Sequence, residues 1–181
     1  MSKNISKKVC LLGDFAVGKT SLVRRYVYDL FDERYISTIG VKVSRKTTTL
    51  ALGGEIVELT MMLWDLAGSE EFDRVRSSYF RGSSGAVLVC DLTRPETLSK
   101  LKQYTEELQK ISPEARLIIA ANKHDLVEES PSGGRPFLDP AQVEELANSL
   151  RAPYFFTSAK RGDEVEALFR CLAQALVGGG A

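Results

Sequence analysis

Gly13-Asp14-Phe15-Ala16-Val17-Gly18-Lys19-Thr20 decides how this chain is read. The octapeptide fits G-x-x-x-x-G-K-[ST] and runs on into Ser21. Before it, Lys8 to Leu12 is a short apolar run that predicts a strand. After it, Lys19 to Tyr28 carries Leu22, Val23, Tyr26 and Val27 at helical spacing. A glycine-bounded loop between strand and helix turns backbone N–H groups inward, and the helix N-terminus adds partial positive charge. The matching ligand is a polyphosphate, cradled by Gly13, Phe15, Ala16, Val17, Gly18 and Ser21. In such a loop the Lys19 ammonium reaches the β- and γ-phosphates, and the Thr20 hydroxyl coordinates Mg²⁺. The loop by itself specifies a nucleoside triphosphate and leaves the base open.

Outward from the loop, strand-like and helix-like segments alternate. Val41 to Leu52 and Ile56 to Trp64 flank Gly53-Gly54, a hairpin pattern. In the second arm Val57, Leu59, Met61 and Leu63 alternate with Ile56, Glu58, Thr60 and Met62. Ala86 to Cys90 and Leu117 to Ala121 are continuous apolar runs, as strands buried on both faces read. Pro95 to Ile111 predicts a helix capped near Thr93 or Arg94. Pro140 to Leu150 predicts another, with Asp139 as N-cap. A short strand at Tyr154 to Thr157 and a helix at Val165 to Val177 complete the series. This alternation implies an α/β sandwich with a mainly parallel sheet and one antiparallel hairpin arm. Glu128 to Leu138, rich in Glu, Ser, Pro and Gly, is expected to be an exposed loop.

The base is read elsewhere. Asn122-Lys123-His124-Asp125 follows the strand Leu117 to Ala121. The Asp125 carboxylate can accept two hydrogen bonds from the N1–H and N2–H₂ edge of guanine, a donor pair that adenine lacks. A site built on such bonds rejects the analogue without them. Asn122 would hold loop and base, and the Lys123 stem would cover the ring. Ser158-Ala159-Lys160 follows the last strand, where the Ala159 N–H can donate to the guanine carbonyl. His124 is expected to be a surface side chain. Each short motif is weak alone. In this order, each at the carboxyl end of a strand, they converge on the edge where open α/β sheets bind ligands.

Composition bounds the rest. The chain has 181 residues, enough for a single domain. Lys+Arg and Asp+Glu are 24 each, so nothing drives the whole molecule toward nucleic acid or an anionic surface. Cys10, Cys90 and Cys171 are far apart in apolar surroundings and are expected to be buried reduced thiols. One histidine and no close cysteine pair argue against zinc.

With these motifs in place, the sequence resembles a Ras-superfamily small GTPase of the Rab branch, from about Lys7 to Leu176. Tyr35-Ile36-Ser37-Thr38-Ile39-Gly40 looks like the first switch, and Trp64-Asp65-Leu66-Ala67-Gly68 like the start of the second. Ser78-Tyr79-Phe80-Arg81-Gly82 is also Rab-like. The resemblance implies a three-layer α/β P-loop sandwich with a mixed, mainly parallel six-stranded sheet and about five helices. It implies a G domain over 8–177, with tails at 1–7 and 178–181. It implies GTP and GDP as ligands, with Thr38 on Mg²⁺ and Asp65 holding a metal-bound water. The Gly68 N–H would contact the γ-phosphate, and Phe31 would pack edge-on against guanine. Tyr35 would sit among the nucleotide-binding residues. Because Thr38 and Gly68 each bond what only the third phosphate supplies, its loss releases both loops. Residues around Tyr35-Val43 and Ser69-Tyr79 would then meet effector, exchange and GTPase-activating proteins.

The chain departs from that pattern in three places. Ser69 stands where the family carries the glutamine that orients the attacking water. Phe15 stands at a phosphate-loop position that is usually small, and would crowd the second switch and an inserted arginine. Both predict slow hydrolysis, with Lys19, Thr38, Gly68 and Ser69 the residues nearest the chemistry. Arg74 and Arg76 are expected either to face solvent and partners or to lend charge as an arginine finger does. Finally, Gly178-Gly179-Gly180-Ala181 contains no lipidation box. A cytoplasmic protein that reaches membranes only through a partner is the expectation. A GTP-occupied binding module with little turnover is the alternative function. A P-loop kinase is a third reading, opposed by Asn122-Lys123-His124-Asp125.

Overall fold

A computed structural model of the chain describes residues 3–130 and 137–178. In chain order the elements are β1 (Lys3–Leu12), α1 (Lys19–Tyr28), β2 (Val41–Leu52), β3 (Glu55–Leu66), α2 (Glu70–Arg76), β4 (Ser83–Asp91) and α3 (Glu96–Ile111). There follow β5 (Arg116–Asn122), α4 (His124–Glu129), α5 (Pro140–Leu150), β6 (Tyr154–Phe156) and α6 (Val165–Val177). A single 3₁₀ turn, Ser77–Tyr79, extends α2. The strands form one six-stranded sheet in the order β2-β3-β1-β4-β5-β6. Among these six strands, β2 and β3 pair antiparallel and every other neighbouring pair is parallel. The crossovers between parallel strands put helices on both faces of the sheet.

The core divides along the two faces of the sheet. In β1, Cys10 and Leu12 face one cluster, with Leu101 and Leu108 of α3 and Val143 of α5. Val9 and Leu11 face the other, with Leu22 of α1 and Phe169 and Leu172 of α6. Tyr26 and Phe169 stack there, with centroids 4.0 Å apart and planes 9° from parallel. In β3, Val57, Leu59, Met61 and Leu63 are buried and Ile56 is exposed, as the alternation predicts.

Several boundaries differ from expectation. β1 starts at Lys3, so residues 3–7 of the expected tail are strand. Its extra residues pair in register with β3, from Lys3 opposite Val57, while Lys3 and Asn4 stay exposed. Backbone pairing extends the strand where no apolar pattern marks it. Six α-helices are present among the described residues, close to the five or so expected. The unanticipated ones, α2 and α4, have 7 and 6 residues, too short to display a helical period. Helix α3 has Pro95 at its N-cap position, with no side-chain capping bond from Thr93 or Arg94. Asp139 does cap α5, accepting from the Ala141 N–H at 2.9 Å. Within the expected loop 128–138, Glu128 and Glu129 end α4. Leu138 is buried, its N–H donating to the Leu92 carbonyl at 2.8 Å. The remainder, 131–136, lies outside the described residues, as do 1–2 and 179–181 of the two tails.

All three cysteines are free; Cys10 and Cys90 are buried and Cys171 is only half-buried. Burial pushes the Cys90 thiol up to about 12. No helix among the described residues is long and apolar enough to cross a membrane.

Candidate functional site

The loops after β1, β3, β4, β5 and β6 share one edge of the sheet, where parallel strands all end. A cleft of about 1280 Å³ opens there. Its lining includes Lys19, Thr20, Thr38, Gly68 and Ser69 at one end and Asn122, Lys123, Asp125, Ala159 and Lys160 at the other. Phe15, Ala16, Gly18, Ser21, Phe31 and Tyr35 line the stretch between. Gly13, Val17 and Ser158 are buried just behind it.

The phosphate loop is bent by backbone conformations that most residues avoid. Ala16 has φ 60° and Gly18 has φ 104°. A Cβ on Gly18 would collide with Asn122 Nδ2, so the glycine is required by contact as well as by angle. Lys19 is 7% exposed and donates from Nζ to the carbonyls of Gly13 and Asp14, both at 2.8 Å. Burial pulls its ammonium down to about 8, against the pull of Asp65 and Asp14. A dehydrated cation of this kind gains by meeting an anion. Gly68 packs directly over it: a Cβ there would lie 2.6 Å from Lys19 Nζ.

Beside Lys19, three side chains from separate elements converge. Thr20 Oγ1 and Thr38 Oγ1 lie 2.6 Å apart, and Thr20 Oγ1 donates to Asp65 Oδ2 at 2.5 Å. Asp65 is 2% exposed, and its other oxygen, Oδ1, is buried without a hydrogen-bond partner. Burial pushes the carboxyl up from its ordinary value, opposed by the Thr20 hydrogen bond and Lys19. An orphaned carboxylate oxygen beside two hydroxyls is an all-oxygen donor set, the chemistry a Mg²⁺ ion takes. The residues present fit that ion.

At the other end, Asn122 is 2% exposed and acts as a tie. Its Nδ2 donates to the Val17 carbonyl at 3.0 Å. Its Oδ1 accepts from Thr157 Oγ1 at 3.1 Å and from the Ala159 N–H at 3.3 Å. Lys123 Nζ donates to the Ala16 carbonyl at 2.8 Å and pairs with Asp91 at 2.7 Å. Asp125, in the first turn of α4, accepts from Ser158 Oγ at 2.7 Å. Its backbone is aimed by Lys123 at φ 67°. Lys160 Nζ lies 3.7 Å from Glu33, so this end of the cleft also touches the segment that leads to Tyr35. Phe31 is half-buried against the α1–α6 side of the core. His124 is partly exposed, 3.5 Å from Glu128, outside the cleft lining.

Several contributors escaped the sequence reading. Arg25 donates to the carbonyls of Ala159 and Lys160 at 2.8 and 2.5 Å, bracing the base loop from α1. Asp91 ends β4 at the same edge as the other motifs, a position that could have flagged it. Arg94 donates to the Phe15 carbonyl at 2.7 Å, and Lys100 pairs with Asp14 at 2.7 Å. No local pattern marks Arg25, Arg94 or Lys100.

Arg76 corrects an expectation. It is 3% exposed, paired with Asp73 and, at 2.7 Å, with Glu107, and it stacks over Tyr104 at 4.3 Å. It is therefore neither a solvated partner-facing residue nor a free arginine finger. Tyr104 and Glu107 lie far along the chain, so their pull on Arg76 is invisible locally. Arg74 is exposed. Ser69 occupies the N-cap position of α2 without a side-chain capping bond.

A parallel-sheet domain with a phosphate loop at the end of β1, and with a carboxylate-bearing base loop at the end of β5, is a P-loop nucleotide-binding protein. The Ras family model matches residues 8–177. Over 173 residues the chain is 37% identical to the GTP-binding protein ypt5 of Schizosaccharomyces pombe, covering 95% of this chain and 78% of that protein. The chain belongs to the Ras family as a Rab-like small GTPase, a GTP-binding switch that hydrolyses GTP.

Proposed function

We propose that the cleft binds GTP or GDP with Mg²⁺, and that this chain hydrolyses GTP slowly when alone. The convergence of Lys19, Thr20, Thr38 and Asp65 at one end with Asn122, Lys123 and Asp125 at the other carries the reading. Lys19 binds the β- and γ-phosphates, together with the N–H groups of the loop 13–21. Asp125, held by Ser158, selects guanine, and the Ala159 N–H and Lys160 sit beside the base. Phe31 packs against the ring. Thr20 and Thr38 would hold Mg²⁺ with Asp65 behind them, and the ion would neutralise phosphate charge. Gly68 offers its N–H to the γ-phosphate, next to Lys19.

Slow hydrolysis follows from what stands next to Gly68. The Ser69 hydroxyl is too short to bond both a water and the γ-phosphate, and α2 supplies no buried arginine that is free to help. Phe15 adds bulk to the same cleft. When the third phosphate leaves, Thr38 and Gly68 lose their partner, and the segments around Tyr35-Val43 and Ser69-Tyr79 loosen. Exposed Ile36, Ile39, Val43 and Val75 on those segments suit effector, exchange and activating proteins. A single-turnover time course with chromatography of the bound nucleotide tests this reading. The expected result is GTP in preference to ATP, and phosphate release slower than for a Rab protein carrying glutamine at the Ser69 position. Ser69→Gln should raise that rate by at least about tenfold. A rate already at the Rab norm, or one unmoved by Ser69→Gln, would overturn the slow-hydrolysis assignment.

A further inference from the structure

The rings of Phe15 and Tyr35 meet edge to face, with centroids 5.3 Å apart and planes at 69°. Neither belongs to the core: Phe15 is 43% exposed and Tyr35 is 59% exposed. Two solvent-facing aromatics from segments about twenty residues apart in the chain thus find each other across the mouth of the cleft. This tilt places the positive edge of one ring on the negative face of the other, the favoured arrangement.

The two ends of the contact are held very differently. Phe15 is anchored. Its N–H donates to Asp14 Oδ1 at 2.8 Å, and its carbonyl accepts from Arg94 Nη1 at 2.7 Å. Asp14 Oδ2 in turn pairs with Lys100 at 2.7 Å and Arg94 at 3.6 Å, so the loop is fastened to α3. None of these bonds involves a phosphate. Tyr35 is loosely held. It lies in the segment between Leu30 and Gly40, which contains no helix or strand. Its hydroxyl has one partner, Ser37 Oγ at 3.5 Å, and the neighbouring Ile36 and Ile39 are exposed. The segment is otherwise pinned by the Thr38–Thr20 contact, the Gly40–Ala67 backbone bond at 2.9 Å and the Lys160–Glu33 pair.

We propose that Phe15 and Tyr35 form an aromatic latch that keeps the Tyr35 end of this segment over the bound nucleotide whether two or three phosphates are present, while the Thr38 end loosens with the third phosphate. The inference rests on the assignment of the cleft to guanine nucleotide. Thr38 depends on the metal and the third phosphate; the ring pair depends on neither. Loss of the third phosphate therefore frees one pin and leaves the other closed. Phe15 and Tyr35 act here as positioning residues for nucleotide retention, and the bulk at Phe15 has a use besides obstruction.

Release of methylanthraniloyl-labelled GDP, and of a labelled non-hydrolysable GTP analogue, from the full chain tests the latch. Phe15→Ala and Tyr35→Ala should each accelerate release of both nucleotides by roughly two- to tenfold. The double variant should be no faster than the quicker single variant, because both remove the same contact. Phe15→Leu keeps apolar bulk without a ring and should accelerate release at least about twofold. Thermal midpoints should stay within about 2 °C of the parent, since both side chains are exposed. Unchanged release in Phe15→Ala, or single effects that multiply in the double variant, would overturn the latch while leaving the cleft assignment intact. A parent protein that retains neither nucleotide overturns the cleft assignment, and the latch with it.

Discussion

Asn122, the last residue of β5, donates its side-chain amide to the backbone carbonyl of Val17 in the phosphate loop, at 3.0 Å. The bond joins the Asn122–Asp125 motif to the loop Gly13–Thr20 across 105 positions of sequence. The same side chain accepts from Thr157 and Ala159, so one buried amide registers three loops. Asn122→Ala should leave those partners unpaired and lower stability by about 3 kcal/mol, measured by urea unfolding. Asn122→Asp keeps the acceptor but sets a buried carboxylate oxygen against the Val17 carbonyl, so it should cost at least as much.

Asp125 owes its aim to Ser158, whose hydroxyl donates to it and also accepts from the Arg161 N–H at 3.0 Å. Ser158→Ala should weaken GDP and GTP binding by roughly tenfold, measured by titration calorimetry, through an unheld carboxylate. Affinity for inosine diphosphate, which lacks the N2 amine, should fall less. An equal loss for both nucleotides would show that Ser158 does not act through Asp125.

Arg76 joins α2 to α3 through Glu107 and Tyr104. Truncating it leaves the half-buried Glu107 carboxylate unpaired, opens a gap in a buried site and removes a cation from an aromatic face. Arg76→Ala should cost about 2 kcal/mol, seen as a drop of about 4–8 °C in thermal midpoint. Adding Glu107→Gln to that variant should recover part of the loss, because the orphaned charge is gone. Arg74→Ala, at an exposed site, should move the midpoint little.

The orphaned Asp65 Oδ1 makes a prediction about metal removal. Excess EDTA should speed GDP release by roughly 5- to 150-fold, the usual range for coupled ligands. Thr20→Ala should bring the metal-replete rate closer to the chelated one. A parent protein indifferent to EDTA would refute the metal role given to Thr20, Thr38 and Asp65.

The sequence by itself determined the layers, the sheet and the two ends of the cleft. Buried parallel strands write unbroken apolar runs, and the motifs that follow them are local: Gly13 to Thr20 and Asn122 to Asp125 must be contiguous to bend as they do. Tertiary structure decided what braces those loops and which side chains are free. Arg25, Asp91, Arg94 and Lys100 contribute single bonds across long separations, and no periodicity encodes a bond of that kind. It also buried Arg76, which its neighbours in sequence leave looking solvent-exposed, because its partners sit on another helix. And it paired Phe15 with Tyr35. Read along the chain, Phe15 is an obstruction in a phosphate loop; folded, it is one half of a contact, because packing brings the rings within reach while leaving both at the surface.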